Sequence, residues 1–283
     1  MNGDCESAVR SFANYLEKFP EGLFHLQAHY YAADCLFRNG QNEQALPHYE
    51  AVAAAGRNSY TERSLHNAAN IAYNLNNFTK ALDLYSQLVT VAEGDNSRMA
   101  GRVGYLRSWV RLGQADSIRA AANALLSEYK ITDELRDEAR ICIARTYYET
   151  GHNYRQADSV YSLLKHSTNG DYSGEASYRI AESLFLQQQF DEAERAIEAI
   201  TADPANDYYL AKSFILWADI FYARGNNLQA KQTLQSIIDN YDGDDLVQLA
   251  LQKRNAILEA EKPVQQPEEE EIVIELESET SEQ

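Results

Sequence analysis

Apolar residues along the chain fall at spacings of three, four and seven, the period of one helical face, and short polar breaks interrupt them. The pattern also repeats itself. "FRNGQNEQALPHYEAV" from Phe37, "FLQQQFDEAERAIEAI" from Phe185 and "YARGNNLQAKQTLQSI" from Tyr222 carry an alanine at the same place. That anchor recurs at Ala8, Ala45, Ala81, Ala157, Ala193 and Ala230, with Ile118 in the middle slot, in steps of 37, 36, 37, 39, 36 and 37 residues. A second small residue stands twelve positions earlier at Ala33, Ala69, Ala181 and Ala218, and thirteen earlier at Ala144; Leu106 breaks that series in the same unit as Ile118. Large residues follow the anchor four on, at Phe12, Tyr49, Tyr85, Tyr161, Ile197 and Leu234. Aliphatics follow seven on, at Val52, Leu88, Leu125, Leu164, Ile200 and Ile237. Between the two small residues lies a polar turn such as "RNGQN" or "ARGNN". Each unit is therefore a helix, a short turn and a second helix. Small residues at the crossing let two antiparallel backbones approach, and a larger side chain there costs about 1–3 kcal/mol in overpacking. A pair of short helices cannot bury its apolar face alone, so units at a fixed period must stack.

The predicted fold class is all-α, an α-α superhelix over residues 1–262: one unpaired helix, six helix pairs and a capping helix. The unpaired helix, about 4–18, exposes Val9, Phe12 and Leu16 and leads us to expect upstream repeats of a longer chain, or a partner at that edge. The cap is "GDDLVQLALQKRNAILEAEK", with Val247, Ala250, Leu251 and Ile257 inward and Asp244 and Asp245 at its start. Pro263 stops it. Residues 263–283, "PVQQPEEEEIVIELESETSEQ", are expected to be an acidic disordered tail.

Small residue, second alanine twelve on, large apolar residue four later and a closing proline together resemble the tetratricopeptide repeat. "SAVRSFANYLEKFPEG" fits best, with Ala8, Phe12, Tyr15 and Pro20 at the motif positions. The likeness covers roughly residues 4–241. The period is longer than the usual 34 or so, and with the "YLEKFP" ending it is similar to repeats of bacterial envelope proteins. The resemblance implies a non-enzymatic scaffold or adaptor that binds a partner segment in a concave groove. If the envelope likeness holds, it also implies a periplasmic or outer-membrane-associated place, and otherwise a cytoplasmic one. The alternative is a soluble-ligand receptor whose groove takes a peptide or glycan by stacking on Tyr73, Tyr148 and Tyr222.

The repeat frame collects candidate groove residues on the first helices: Tyr30, Asp34, Phe37, Asn70, Tyr73, Arg107, Arg145, Tyr148, Tyr178, Glu182, Phe185 and Tyr222. They form an aromatic ladder with two arginines in the middle and acids towards both ends. Arg107 and Arg145 are expected to orient a carboxylate or a polar main chain. The other reading of the aromatics is plain helix packing. The carboxylate clamp of chaperone-tail receptors is not present: Asn70 fits one slot, but His66, Gly104, Glu138 and Cys142 occupy its neighbours.

Charge narrows the partners. The formal net charge is −18, and Glu259 to Gln283 hold ten Glu and one Lys, a net of −9, which leaves −9 on the rest. A body of that sign repels nucleic acid and anionic membrane. No apolar run approaches the roughly 18 residues of a membrane span, and no apolar segment precedes Cys5, as a signal peptide or a lipidated cysteine requires. Three cysteines, Cys5, Cys35 and Cys142, make no framework and no C-x-x-C pair; the latter two are read as packing residues. His25 and His29 share a helix face without a third ligand in view. Phosphate-binding and nucleophile motifs are missing. Neither an enzyme nor a cofactor is expected.

Overall fold

The structure, a computed structural model, describes residues 5–150 and 153–262. The acidic tail expected at 263–283 lies outside the described residues. Fourteen α-helices and no strand occur among the described residues. They are α1 (Cys5–Lys18), α2 (His25–Arg38), α3 (Asn42–Ala54), α4 (Thr61–Asn74), α5 (Phe78–Val91), α6 (Asp95–Leu112), α7 (Ala115–Leu126), α8 (Asp133–Glu149), α9 (Tyr154–Tyr161), α10 (Gly170–Leu186), α11 (Phe190–Ala202), α12 (Asp207–Ala223), α13 (Asn227–Asn240) and α14 (Asp244–Ala260). The chain forms two compact units, Met1–Ser213 and Phe214–Gln283.

In the first unit each helix from α1 to α11 packs on the next, and α4 also touches α6, as α6 touches α8. This is the paired-helix pattern of a tetratricopeptide-like α-α solenoid. The anchors Ala45, Ala81, Ala157 and Ala193, and the earlier Ala33, Ala69, Ala144 and Ala181, are all fully buried. Backbone proximity explains them: a side chain larger than methyl has no room where paired helices cross. The core is a chain of linked clusters rather than one centre. One spans α2 to α5 around Tyr49, Leu65 and Leu88. The next spans α6 to α8 around Leu106 and Leu125. A third spans α8 to α10 around Tyr161 and Leu164. The last two share Cys142, Tyr147 and Val160 at their edges.

The deviant third hairpin, α6–α7, keeps its volume but redistributes it. Ile118 takes the alanine slot, and Ala122, four on, takes the slot where other hairpins place a tyrosine, an isoleucine or a leucine; both are buried with Leu106. A volume-conserving exchange of this kind is the least costly change a packed core accepts. Gly101 and Gly104 supply the close approach instead. A Cβ on Gly104 would stand 2.3 Å from Tyr85 ring atoms, and one on Gly101 would stand 2.7 Å from Val89 Cγ2.

The turns inside the hairpins share one backbone device. Gly40, Asn76, Gly113 and Gln188 stand at φ 77°, 59°, 70° and 61°, each just after a first helix. Reversing the chain there needs a left-handed residue, which glycine supplies without steric cost. Several helix starts are closed by side chains that accept main-chain N–H groups: Asn77 from Lys80, Thr132 from Leu135, and Asn169 from Asp171 and Tyr172.

Details differ from expectation. α1 keeps no residue fully buried, yet its apolar face is not bare. Val9 packs on the first cluster and Phe12 stacks on Tyr31 at 6.2 Å, because α2 covers that side. The helix after Asn153 ends early, and Ser162–Leu164 form a 3-10 turn that still buries Leu164.

In the second unit, α13 packs on α14. Asn226 caps α13 by accepting from Gln229 N. Gly225, at φ 77°, repeats the left-handed turn, and Ala218 and Ala230 are buried. α14 turns Leu246, Ala250 and Ile257 inward. Val247 and Leu251 were expected inward and are only half-buried, because the inward stripe runs through Leu246 instead.

Candidate functional site

α4 presents His66, Asn70 and Tyr73 on one face, at helical spacings of four and three. α6 presents Asn96, Ala100, Val103 and Arg107 on the facing side, again at three and four. Between them lie two hollows, of about 670 and about 580 Å³. They share His66, Asn96 and Ala100, so they adjoin as a two-part trough along both helices.

Its floor is built by Tyr85 of α5, which reaches between the helices because Gly104 leaves the space. The Tyr85 hydroxyl donates to Asn70 Oδ1 at 2.7 Å, and Asn70 Nδ2 faces His66 Nε2 at 3.3 Å. That chain fixes the amide orientation of Asn70 and makes His66 Nε2 the acceptor. Burial pulls the His66 pKa down, against a weaker upward pull from Asn67, so the ring is neutral at neutral pH. At one end Arg107 donates to Glu138 through Nε at 2.6 Å and Nη2 at 2.8 Å. At the other, Arg57 stands 3.6 Å from Glu93, and Glu62 Oε1 accepts Glu93 N–H. Tyr73, Met99, Val103 and Leu135 supply apolar wall. The trough thus offers oriented amides, a neutral imidazole and apolar surface. Those are donors and acceptors for a polypeptide main chain, with hollows for its side chains.

Of the twelve expected groove residues, Asn70, Tyr73 and Arg107 meet in this trough. Others are committed elsewhere. Asp34 pairs with Arg38 at 2.9 Å. Tyr30, Tyr148 and Tyr178 are buried. Tyr30 stacks on Tyr60 at 4.5 Å. Glu182 accepts from Tyr148 at 2.5 Å, from Tyr178 at 2.6 Å and from Arg179 at 2.6 Å. Burial pushes the Glu182 pKa up, but those three donors together hold it below the usual carboxylate range. The Arg179 guanidinium lies 4.6 Å from the centre of the Tyr148 ring. Phe37 and Tyr222 are exposed, Tyr222 in the second unit, and Phe185 is half-buried against Phe190.

Arg145 departs most from expectation. Its Nε and Nη2 donate to Glu175 at 2.9 and 2.6 Å, and Glu175 also accepts from Tyr161 at 3.3 Å and Tyr209 at 3.2 Å. Glu175 is buried. Arg145 is thus the counter-charge of a buried carboxylate. Both arginine–glutamate pairs join one first helix to the next, α6 to α8 and α8 to α10, which is the signal that sequence reading missed: a Glu thirty or thirty-one residues after each arginine.

No group of three or more His, Cys, Asp or Glu that could hold a metal ion occurs among the described residues. No described helix is long and apolar enough to cross a membrane.

Comparison with known proteins agrees with the repeat reading. Tetratricopeptide-repeat family profiles match residues 2–60 and 208–244. No curated protein matches the chain. Among solved structures, a tetratricopeptide repeat protein from Parabacteroides merdae is 17% identical with a TM-score of 0.43, over 89% of this chain and 93% of its own. YrrB, a tetratricopeptide protein with an unusual peptide-binding site, is 16% identical with a TM-score of 0.48, over 77% of this chain and 99% of its own. Naa15/Naa10 bound to HypK-THB gives 13% identity and a TM-score of 0.53, over 90% of this chain and 39% of that one. At these identities the likeness is one of fold.

Proposed function

For this all-helical chain with tetratricopeptide repeats, we propose a non-enzymatic scaffold that holds an extended segment of a partner protein in the trough between α4 and α6. One observation carries the reading: two hollows adjoin at His66, Asn96 and Ala100, and Asn70, in the second of them, is an amide oriented by Tyr85. An oriented amide on an apolar floor recognises a main chain without demanding one side chain. Of the other expected aromatics, Phe37 and Tyr222 are exposed, and each is proposed as a contact point within its own unit. The buried Tyr148 offers no face for a sugar ring, so the peptide reading is preferred to the glycan one. The long repeat period and the "YLEKFP" ending support a place in a bacterial cell envelope, which fractionation of the native host would check.

The test is site-specific photo-crosslinking. A photoreactive side chain replacing Met99 or Asn96 should capture one defined partner segment. Val103→Glu, which puts a carboxylate on the apolar wall, should cut that capture at least tenfold while circular dichroism shows the helices still formed, Val103 being half-buried on the α6–α8 cluster. Equal capture by Val103→Glu, or crosslinks that scatter over unrelated proteins, would overturn the proposal.

A further inference from the structure

Cys5 opens α1 and Cys35 lies in the last turn of α2, thirty residues on. Their sulfur atoms stand 2.7 Å apart. A disulfide bond is about 2.05 Å long, so closing one needs well under an ångström of movement. The surroundings already hold the helices together. Phe12 stacks on Tyr31, Val9 packs on the first core cluster, and Tyr15 OH accepts from Phe24 N–H at 3.1 Å. Both sulfurs are half-buried, not sealed. Cys142, by contrast, sits at the edge of two core clusters.

We propose that Cys5 and Cys35 form a reversible disulfide site that staples α1 onto α2, with a small-molecule disulfide such as oxidised glutathione as the co-substrate. The exchange balances. One cysteine loses its proton to solvent, and its thiolate attacks a sulfur of the small disulfide, releasing one thiolate, which takes up a proton. The second cysteine loses its proton and attacks the mixed disulfide, releasing the second small thiol. Two protein thiols are oxidised and one small disulfide is reduced to two thiols. Burial, followed by the Cys5 contact, pushes the Cys35 thiol up to about 11, which disfavours Cys35 as the opening nucleophile and suits it to the resolving step. The consequence is structural. α1 has no fully buried residue, so its docking rests on half-buried contacts that a covalent bond reinforces.

The full chain incubated with oxidised glutathione under native conditions is the test. Closure should remove two of the three alkylatable thiols and leave the intact mass lower by two hydrogens. Peptide mapping without reductant should join the Cys5 and Cys35 peptides. Cys5→Ser and Cys35→Ser should each stop at a single glutathione adduct. Amide exchange in α1 should slow at least tenfold on oxidation of the wild type and stay unchanged in Cys5→Ser. Separate glutathione adducts on Cys5 and Cys35 in the wild type, three thiols still free, or a crosslink involving Cys142 would each overturn the proposal.

Discussion

Arg145→Ala is a sharp perturbation because two arginines with similar forks sit in different surroundings. Glu175 is 5% exposed, whereas Arg145 keeps 43% of its side chain in water. Removing the guanidinium leaves a buried carboxylate with two long tyrosine donors, at 3.3 and 3.2 Å. Breaking a buried pair from one side costs about 3–5 kcal/mol. The exposed side of Arg145 lets water in after the truncation, so the low end, about 3 kcal/mol, applies. A domain of this size shifts by about 2–4 °C per kcal/mol, which gives a fall of about 6–12 °C. Arg107→Ala is the internal control. Its partner Glu138 is 19% exposed and Arg107 itself 51%, so the loss should be about 0–1 kcal/mol. Adding Glu175→Gln to Arg145→Ala removes the stranded charge and should recover part of the fall. Thermal melts by far-ultraviolet circular dichroism give the size of the effect. Hydrogen exchange places it, because repeat arrays need not unfold in one step, and α10 should lose protection first. If Arg145→Ala melts with Arg107→Ala, the counter-charge assignment of Arg145 is wrong.

Three further outcomes are expected. His29 and His48 face each other through Nδ1 at 2.8 Å. Burial lowers both pKa values, with a further push on His29 from His48 and His25, so both folded values lie below the unfolded one. Their stabilisation is therefore full above about pH 6.5 and is lost as pH falls below it. A His29→Gln/His48→Gln variant should show a shallower acid loss in urea titrations across that range, and an identical slope counts against the pair. Gly104→Ala gains about 1 kcal/mol of helix propensity but drives a methyl to 2.3 Å from the Tyr85 ring. Overpacking of about 1–3 kcal/mol should win, and a more stable variant in chemical denaturation would refute the tight seat of Tyr85. Gln188→Gly, at φ 61°, should stabilise by about 1 kcal/mol by relieving a left-handed non-glycine residue, read as a shift of the urea midpoint at constant slope.

The fold was legible because its controlling residues tolerate little variation. An alanine where two backbones cross has one acceptable size, so it recurs at a fixed interval and betrays the period. The exchanged pair Ile118 and Ala122 was hidden because only the sum of volumes is constrained, not its distribution. The site was legible in part. Asn70, Tyr73 and Arg107 share a trough because the frame put them on facing helices. The burial of Tyr30, Tyr148 and Tyr178 was not legible, because a tyrosine on a first helix can turn towards its neighbour as readily as outward, and the periodicity is the same in both cases. Arg107 and Arg145 looked equivalent because their partners lie thirty-one and thirty residues away on the following first helix, where a reading along one helix does not reach.

Tyr85 seated against Gly104 has a consequence for how near-identical hairpins find their proper neighbours. At the residue two before the earlier small position, the other first helices carry Tyr31, Asn67, Cys142, Arg179 and Leu216. Asn67, at the matching place on α4, instead donates to the Tyr49 hydroxyl at 3.0 Å. An array of look-alike parts risks skipping a member while it zips up, and a ring seated over a glycine at one junction and bonded to an amide at another makes those two junctions unlike. The address is written in the pair: the ring on the second helix, and the space or partner that the following helix keeps for it.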